Sequence, residues 1–291
     1  MKIGVSSYSL SRAISGGVFD LCGAIRYIAE IGGEHIELVP GAFQFTDEND
    51  PLIERVRKQA AESGIDISSY TIGANFICGN GHDYTKEETA AEIERVKGQI
   101  RIGAALGVRF MRHDACSRPI PQCTIAQFEK DLPIVTDACR QLADYAKSFG
   151  ITTSIENHGY HFQGSERVHR LVDLVARDNF RTTMDVGNFT CADEDPVIAV
   201  QNNISIASFI HFKDFLIRRK VAAPDGFFGT RHGRFLRATI TGHGDVDLVT
   251  ITRIIRESGY DGYVSIEFEG MEECREAVRI SLANVKALFA D

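Results

Sequence analysis

Four short apolar runs in the second half of the chain each end in a side chain that can bind a metal: Ile151–Glu156, Phe180–Asp185, Ala207–His211 and Tyr263–Glu267. Each run is rich in β-branched residues and is followed by a turn or loop, which is how a buried parallel strand reads. The first two spacings each fit one strand–helix unit, and the third fits one unit carrying a long loop. Two Glu, one Asp and one His at neighbouring strand ends form an oxygen-rich site with one imidazole, suited to a hard divalent cation: Mn2+ first, with Mg2+, Co2+ or Zn2+ as alternatives. The expected ligands of a single ion are therefore Glu156, Asp185, His211 and Glu267.

Side-chain alternation extends this set. Residues two apart share a face, so His158 is expected beside Glu156, Lys213 beside His211, and Glu269 beside Glu267. An imidazole next to a metal-bound carboxylate can take a proton at neutral pH, which makes His158 a candidate base with Glu156 and Glu267. A structural role orienting Glu156 is the other reading of His158. Glu37 and His113 fall at or near earlier strand ends and are candidates for contacting substrate hydroxyls. Arg112, of opposite parity to His113, is expected to face the helices.

The elements that position these residues alternate from end to end. Strands are expected at Lys2–Val5, His35–Val39, Ile65–Ile72 and Val108–His113, ahead of the four already named. Helices are expected at Val18–Ile31, Pro51–Ser63, Lys86–Leu106, Thr124–Phe149, Ser165–Arg177 (opened by a Ser cap), Leu248–Ser258 and Glu272–Phe289. Eight such units imply a parallel sheet and fit a closed (β/α)8 TIM barrel of the α/β class, one domain over residues 1–291. A doubly wound open sheet is the alternative, but no Gly-rich dinucleotide fingerprint follows the first strand. The longest loops, Gly73–Thr85, Cys116–Cys123 and Lys213–Gly244, all follow strands and so belong over the mouth of the barrel. The last carries Arg218, Arg219, Arg231, Arg234, Arg237, Phe227, Phe228 and His232, a mixture suited to covering a polyhydroxylated or anionic ligand or to a subunit contact.

Composition narrows the classes. A net charge of −8 disfavours nonspecific binding to nucleic acid, and no apolar segment is long enough to suggest a membrane span. The start of the chain runs straight into a strand pattern rather than a signal peptide. Seven cysteines without a C-x-x-C pair point to a reducing, cytoplasmic setting.

At the residues that carry the chemistry, the chain resembles the sugar phosphate isomerase/epimerase superfamily, the xylose isomerase-like barrels. The resemblance spans the whole chain and rests on Ile155-Glu-Asn-His158, Met184-Asp-Val-Gly-Asn188, Ile210-His-Phe-Lys-Asp214, Gly242-His-Gly-Asp-Val-Asp247 and Ile266-Glu267. It implies one divalent cation on Glu156, Asp185, His211 and Glu267. It also implies a carbohydrate substrate and isomerisation or epimerisation of a keto sugar through proton abstraction and an enediolate, with the two glutamates moving the proton. Asn188, Lys213 and Arg218 join Glu37 and His113 as expected substrate contacts. Where ketose 3-epimerases carry a substrate-binding His, this chain has Asn188. The Glu156-Asn-His158 tripeptide is similar to that of the metal-dependent C-glycoside deglycosidases, which act on 3-oxo-glucosides with a small second subunit; this is the alternative function. Otherwise a homo-oligomer is the expected assembly. The endonuclease IV type of DNA repair enzyme is the remaining relative, but Asn188 stands where one of its His ligands belongs.

Overall fold

The computed structural model describes residues 1–79 and 81–290. Eight strands form the barrel: β1 (Lys2–Ser6), β2 (His35–Leu38), β3 (Asp66–Ile72), β4 (Phe110–His113), β5 (Thr152–Glu156), β6 (Phe180–Asp185), β7 (Ala207–Phe212) and β8 (Tyr263–Ile266). Each is parallel to its neighbour in chain order, and β8 pairs with β1 to close the cylinder. A helix of eight or more residues packs outside after each strand, the first preceded by a short turn of helix at Ser11–Ser15: α1 (Leu21–Glu30), α2 (Pro51–Ser63), α3 (Lys86–Leu106), α4 (Ile125–Lys147), α5 (Ser165–Val175), α6 (Pro196–Asn203), α7 (Leu248–Glu257) and α8 (Cys274–Ala290). The expected (β/α)8 barrel is the observed fold.

Helix starts follow short polar caps that satisfy the first free N–H groups. Asp20 accepts from Gly23 and so begins α1 three residues after the expected Val18. Thr85 and Glu88 form a reciprocal capping box at α3. At α5 the expectation fails: Ser165 lies inside the helix, and its hydroxyl donates to Glu194 instead of capping. Helix α6 was not anticipated, although Asp195 caps it and Pro196 occupies its first turn.

The inside of the barrel is filled in layers. At its base His35, Phe110, Phe209 and Tyr263 pack edge to face or stacked, with ring centres 4.9–6.4 Å apart. β1 passes close beneath this plug at Gly4. A side chain there would meet the backbone oxygen of His35 at 2.2 Å and its ring at 2.6 Å. Above the plug the inward positions turn polar, and there the site begins.

Two of the expected mouth loops contain strands of their own. Residues Cys78–Gly79 and His82–Asp83 form a small hairpin. The insertion after β7 folds as an antiparallel sheet of Asp214–Arg218, Phe235–Thr239 and Phe228–Gly229. No helix among the described residues is long and apolar enough to cross a membrane.

Candidate active site

Glu156 ends β5, Asp185 ends β6, His211 is the penultimate residue of β7, and Glu267 lies one residue beyond β8. Their ligand atoms all fall within 4.8 Å of one another. His211 is buried, and its Nδ1 lies 3.6 Å from Glu156 Oε1, 3.9 Å from Glu267 Oε2 and 4.0 Å from Asp185 Oδ2. Neither His211 Nδ1 nor Asp185 Oδ2 has a hydrogen-bond partner among the described residues. Buried polar atoms without partners are costly, and these two face the same point. Burial pushes the Asp185 carboxyl up to about 7; the Lys213 ammonium pulls it down, while Glu156 and Glu267 add to the rise. A divalent cation on the four ligand atoms would relieve both the orphaned atoms and the crowded negative charge, so the residues fit the ion.

The surroundings hold these ligands in place. The Nε2–H of His211 donates to Glu37 at 2.9–3.0 Å, leaving Nδ1 for the centre of the site. Glu37 is itself fully buried and accepts from Thr71 (2.5 Å) and Ser265 (3.2 Å). Glu37 therefore orients His211, where contact with substrate hydroxyls had been expected. The other oxygen of Asp185, Oδ1, accepts from the backbone N–H groups of Gly187 and Asn188. Asn157 pins the end of β5 to β6 by exchanging hydrogen bonds with the backbone of Asp185.

On β4 the expected facing is reversed. Phe110 belongs to the interior plug, so Arg112, two residues on, also points inward. Its guanidinium lies 2.6 Å from Glu156 Oε2 and 2.7 Å from Asp114 Oδ1. His113 turns away from the interior, packs edge-on against Phe76, and bonds the Asp114 carbonyl through Nδ1. With both faces of β4 buried, its four residues gave no sign of which side was which.

Above the quartet lies a cavity of about 430 Å³. On one side stands His158, half exposed, its Nδ1 3.1 Å from Asp114 Oδ1. Burial alone would lower the His158 pKa, but Asp114 outweighs it and the net shift is upward. On another side Lys213 Nζ lies 2.5 Å from Glu267 Oε2 and 3.5 Å from both Glu269 and Asp185. Tyr8 donates to Glu269 at 3.4 Å. Asn188 bridges the two sides, donating to Glu156 (2.8 Å) and accepting from Lys213 (3.4 Å). His158, Lys213 and Glu269 thus line the cavity where alternation placed them, and Asn188, expected from the family resemblance, lines it with them. Arg218 does not; it pairs with Asp245 at 2.6 Å. Asp114, Tyr8, Tyr160 and Met271 were missed; Asp114 shares the facing of Arg112 two residues before it, so the reversed reading of β4 hid both.

The family model described as xylose isomerase-like TIM barrel matches residues 25–288. The chain belongs to that family. An inosose dehydratase of Lacticaseibacillus casei is 29% identical over 136 residues, covering 44% of this chain and 44% of that protein. The match therefore spans less than half the length of that curated relative. Two solved structures have the same fold. One, titled 3-keto-D-glucoside 4-epimerase from E. coli, has a TM-score of 0.71 at 19% identity and covers 99% of both chains. The other, titled a probable 3-DHS dehydratase from Bacillus anthracis, has a TM-score of 0.71 at 16% identity and covers 98% of this chain and 99% of that one. The xylose isomerase-like family thus brings both epimerases and dehydratases into view beside this barrel.

Proposed function

We propose that this xylose isomerase-like barrel removes the proton beside the carbonyl of a keto sugar or a keto-sugar derivative and returns it to give an isomer or epimer. The observation that carries this reading is the convergence of Glu156, Asp185, His211 and Glu267 beneath a cavity, with His211 Nδ1 and Asp185 Oδ2 lacking hydrogen bonds among the described residues and Lys213 Nζ 3.5 Å from Asp185 Oδ2. A divalent cation held by these four side chains would supply Lewis-acid polarisation, which would acidify the C–H beside the substrate carbonyl.

The chain's own residues divide the remaining work. Both oxygens of Glu156 are engaged, one by Arg112 and one by Asn188, and Arg112 and His211 hold its pKa well below the usual carboxylate range against the opposing effect of burial. Such a carboxylate suits a ligand better than a base. His158 suits the base: it lines the cavity, and Asp114 fixes Nδ1 so that Nε2 is left to take the proton. In an isomerisation Nε2 returns it to the neighbouring carbon; in an epimerisation the proton returns to the other face, from Glu267 on the Lys213 side. The Lys213 ammonium stands between Glu267 and Asn188, where it can steady negative charge on a substrate oxygen.

Loss of water is the second reading, favoured by the likeness to the L. casei dehydratase. There the C–H proton passes to His158, the C–O bond on the next carbon breaks, and the imidazolium gives its proton to the departing hydroxide as water. Both readings share the first step. The test incubates the Mn2+-loaded protein with keto sugars and keto polyols in deuterated water. Deuterium beside the carbonyl in an otherwise intact epimer or isomer is expected, whereas a conjugated enone identifies the dehydratase. Release of an aglycone from a 3-oxo C-glycoside would instead favour the deglycosidase reading. The metal is checked with the same protein: His211→Ala and Asp185→Ala should lose the ion, and full activity in chelator would end the proposal.

A further inference from the structure

The cavity lining is of two kinds. Lys213, Asn188, His158 and Glu269 are polar, and Lys213 and Asn188 contact the quartet directly, whereas Phe228, Met271 and Tyr160 present rings and a thioether from the insertion and neighbouring segments. Phe228 and Met271 come from separate loops and remain 37% and 64% exposed. The insertion itself is closed down on these side chains: a Cβ on Gly226, whose φ is +76°, would meet Met271 Sδ at 2.4 Å and Arg237 Cδ at 3.4 Å. Tyr160 donates its hydroxyl to Gly229, and Phe228 packs edge-on against Phe215 with ring centres 5.8 Å apart. Arg237, which also lines the cavity, stacks over the Phe227 ring at 5.2 Å.

A bare sugar meets the polar part of the lining but leaves Phe228 and Met271 as exposed apolar surface, which a flat apolar group would remove from water. Such a group fits there: aromatic rings are favoured against sulfur and against ring edges, and a guanidinium plane stacks on aromatic faces. The volume of about 430 Å³ falls among pockets that enclose drug-sized ligands, roughly 300–1,000 Å³. We propose that the substrate is a keto sugar carrying an aromatic substituent, with the sugar above the quartet and the ring against Phe228, Met271 and Arg237. This rests on the keto-sugar reading above and adds the substituent to it.

The test measures binding to the Mn2+-loaded protein by calorimetry, using the methyl and phenyl 3-keto-β-D-glucosides, which differ only in the group at issue. The phenyl form should bind about tenfold tighter or better, as the burial of one ring implies. Met271→Ala, at an exposed position, should bring the ratio of the two affinities toward one, and Phe228→Ala should do the same. Equal affinities in the native protein, or a ratio unchanged in both variants, would overturn the aromatic subsite while leaving the keto-sugar reading in place. Failure of both ligands to bind a protein that retains its metal would overturn both. Sedimentation provides a further check: a dimer that dissociates in Met271→Ala, with a native affinity ratio of one, would reassign these side chains to a contact between two copies of the chain.

Discussion

At the scale of single residues, the site is a set of paired constraints rather than four independent ligands. Arg112 touches Glu156 and Asp114 together, so it holds one member of the quartet and the carboxylate behind His158 in one arrangement. That coupling gives a distinguishable outcome for each substitution. His158→Ala is expected to keep its metal, because the imidazole is not among the ligands, while turnover falls about 10²–10⁴-fold as loss of a general base would cause. Asp114→Asn is expected to act through His158: kcat falls, KM stays near its native value, and metal occupancy is kept. Metal analysis and steady-state kinetics on both variants check this, and near-native kcat in His158→Ala would remove the imidazole from the mechanism. The quartet was legible in the sequence because Glu, Asp and His are costly in buried strands unless something pairs them. Arg112 was not, because Phe110 and Met111 are both apolar and the facing of β4 depends on which of them joins the plug.

At the scale of elements, the insertion after β7 is the part whose role was visible and whose form was not. Its mixture of arginines and phenylalanines marked a covering segment, but only one residue, Lys213, separates β7 from Asp214–Arg218, so the new sheet read as loop. The eight-residue α6 escaped for a similar reason, being too short to show a helical stripe despite its Asp-Pro start. The insertion is tied to the segment after Asp185 by Asp193, a left-handed residue (φ 59°) that accepts from the Thr230 hydroxyl (2.8 Å) and the His232 N–H (2.6 Å) and faces Arg234 at 3.5 Å. Each lost hydrogen bond to this carboxylate is worth about 1.5–3 kcal/mol. Asp193→Asn, which keeps some of the bonding, is expected to change little. Asp193→Ala should loosen the insertion: trypsin should cut after Arg231 or Arg234 several-fold faster, and KM should rise while metal occupancy is unchanged. Identical digestion of Asp193→Ala and the native protein would show that the anchor contributes nothing.

At the scale of the whole molecule, the barrel keeps two uncharged histidines in its interior and helix layer, which gives its stability a defined response to acid. His35 and His113 are fully buried, and burial lowers each pKa from 6.5 to about 4. The His35 ring donates through Nε2 to the Val264 carbonyl and its Nδ1 lies 2.8 Å from Ser68 Oγ, so it is burial among the plug's rings that opposes the charged form. Both folded pKa values lie below the unfolded one. As pH falls from about 6.5 toward 4 the unfolded chain takes up protons that the folded chain refuses, and stability is lost across that window. At one pKa unit per 1.36 kcal/mol, each histidine accounts for at most about 3 kcal/mol, a large share of the roughly 5–15 kcal/mol that holds a domain together. The carboxylates with lowered values, Glu37 and Asp114 among them, withdraw their contribution only at more acid pH. His211 works the other way: Glu37, Glu156 and Glu267 raise its pKa despite its burial, so its contribution in the metal-free protein is present at acid pH and lost as pH rises. Comparing variants separates the two directions. Urea unfolding of metal-free protein at pH 7, 5.5 and 4.5 should show His35→Asn less stable than the native chain at pH 7, because the plug is disturbed, yet with a shallower loss on acidification. The gap between the two proteins should therefore narrow as pH falls; a gap that stays constant would mean that His35 takes no part in the acid response.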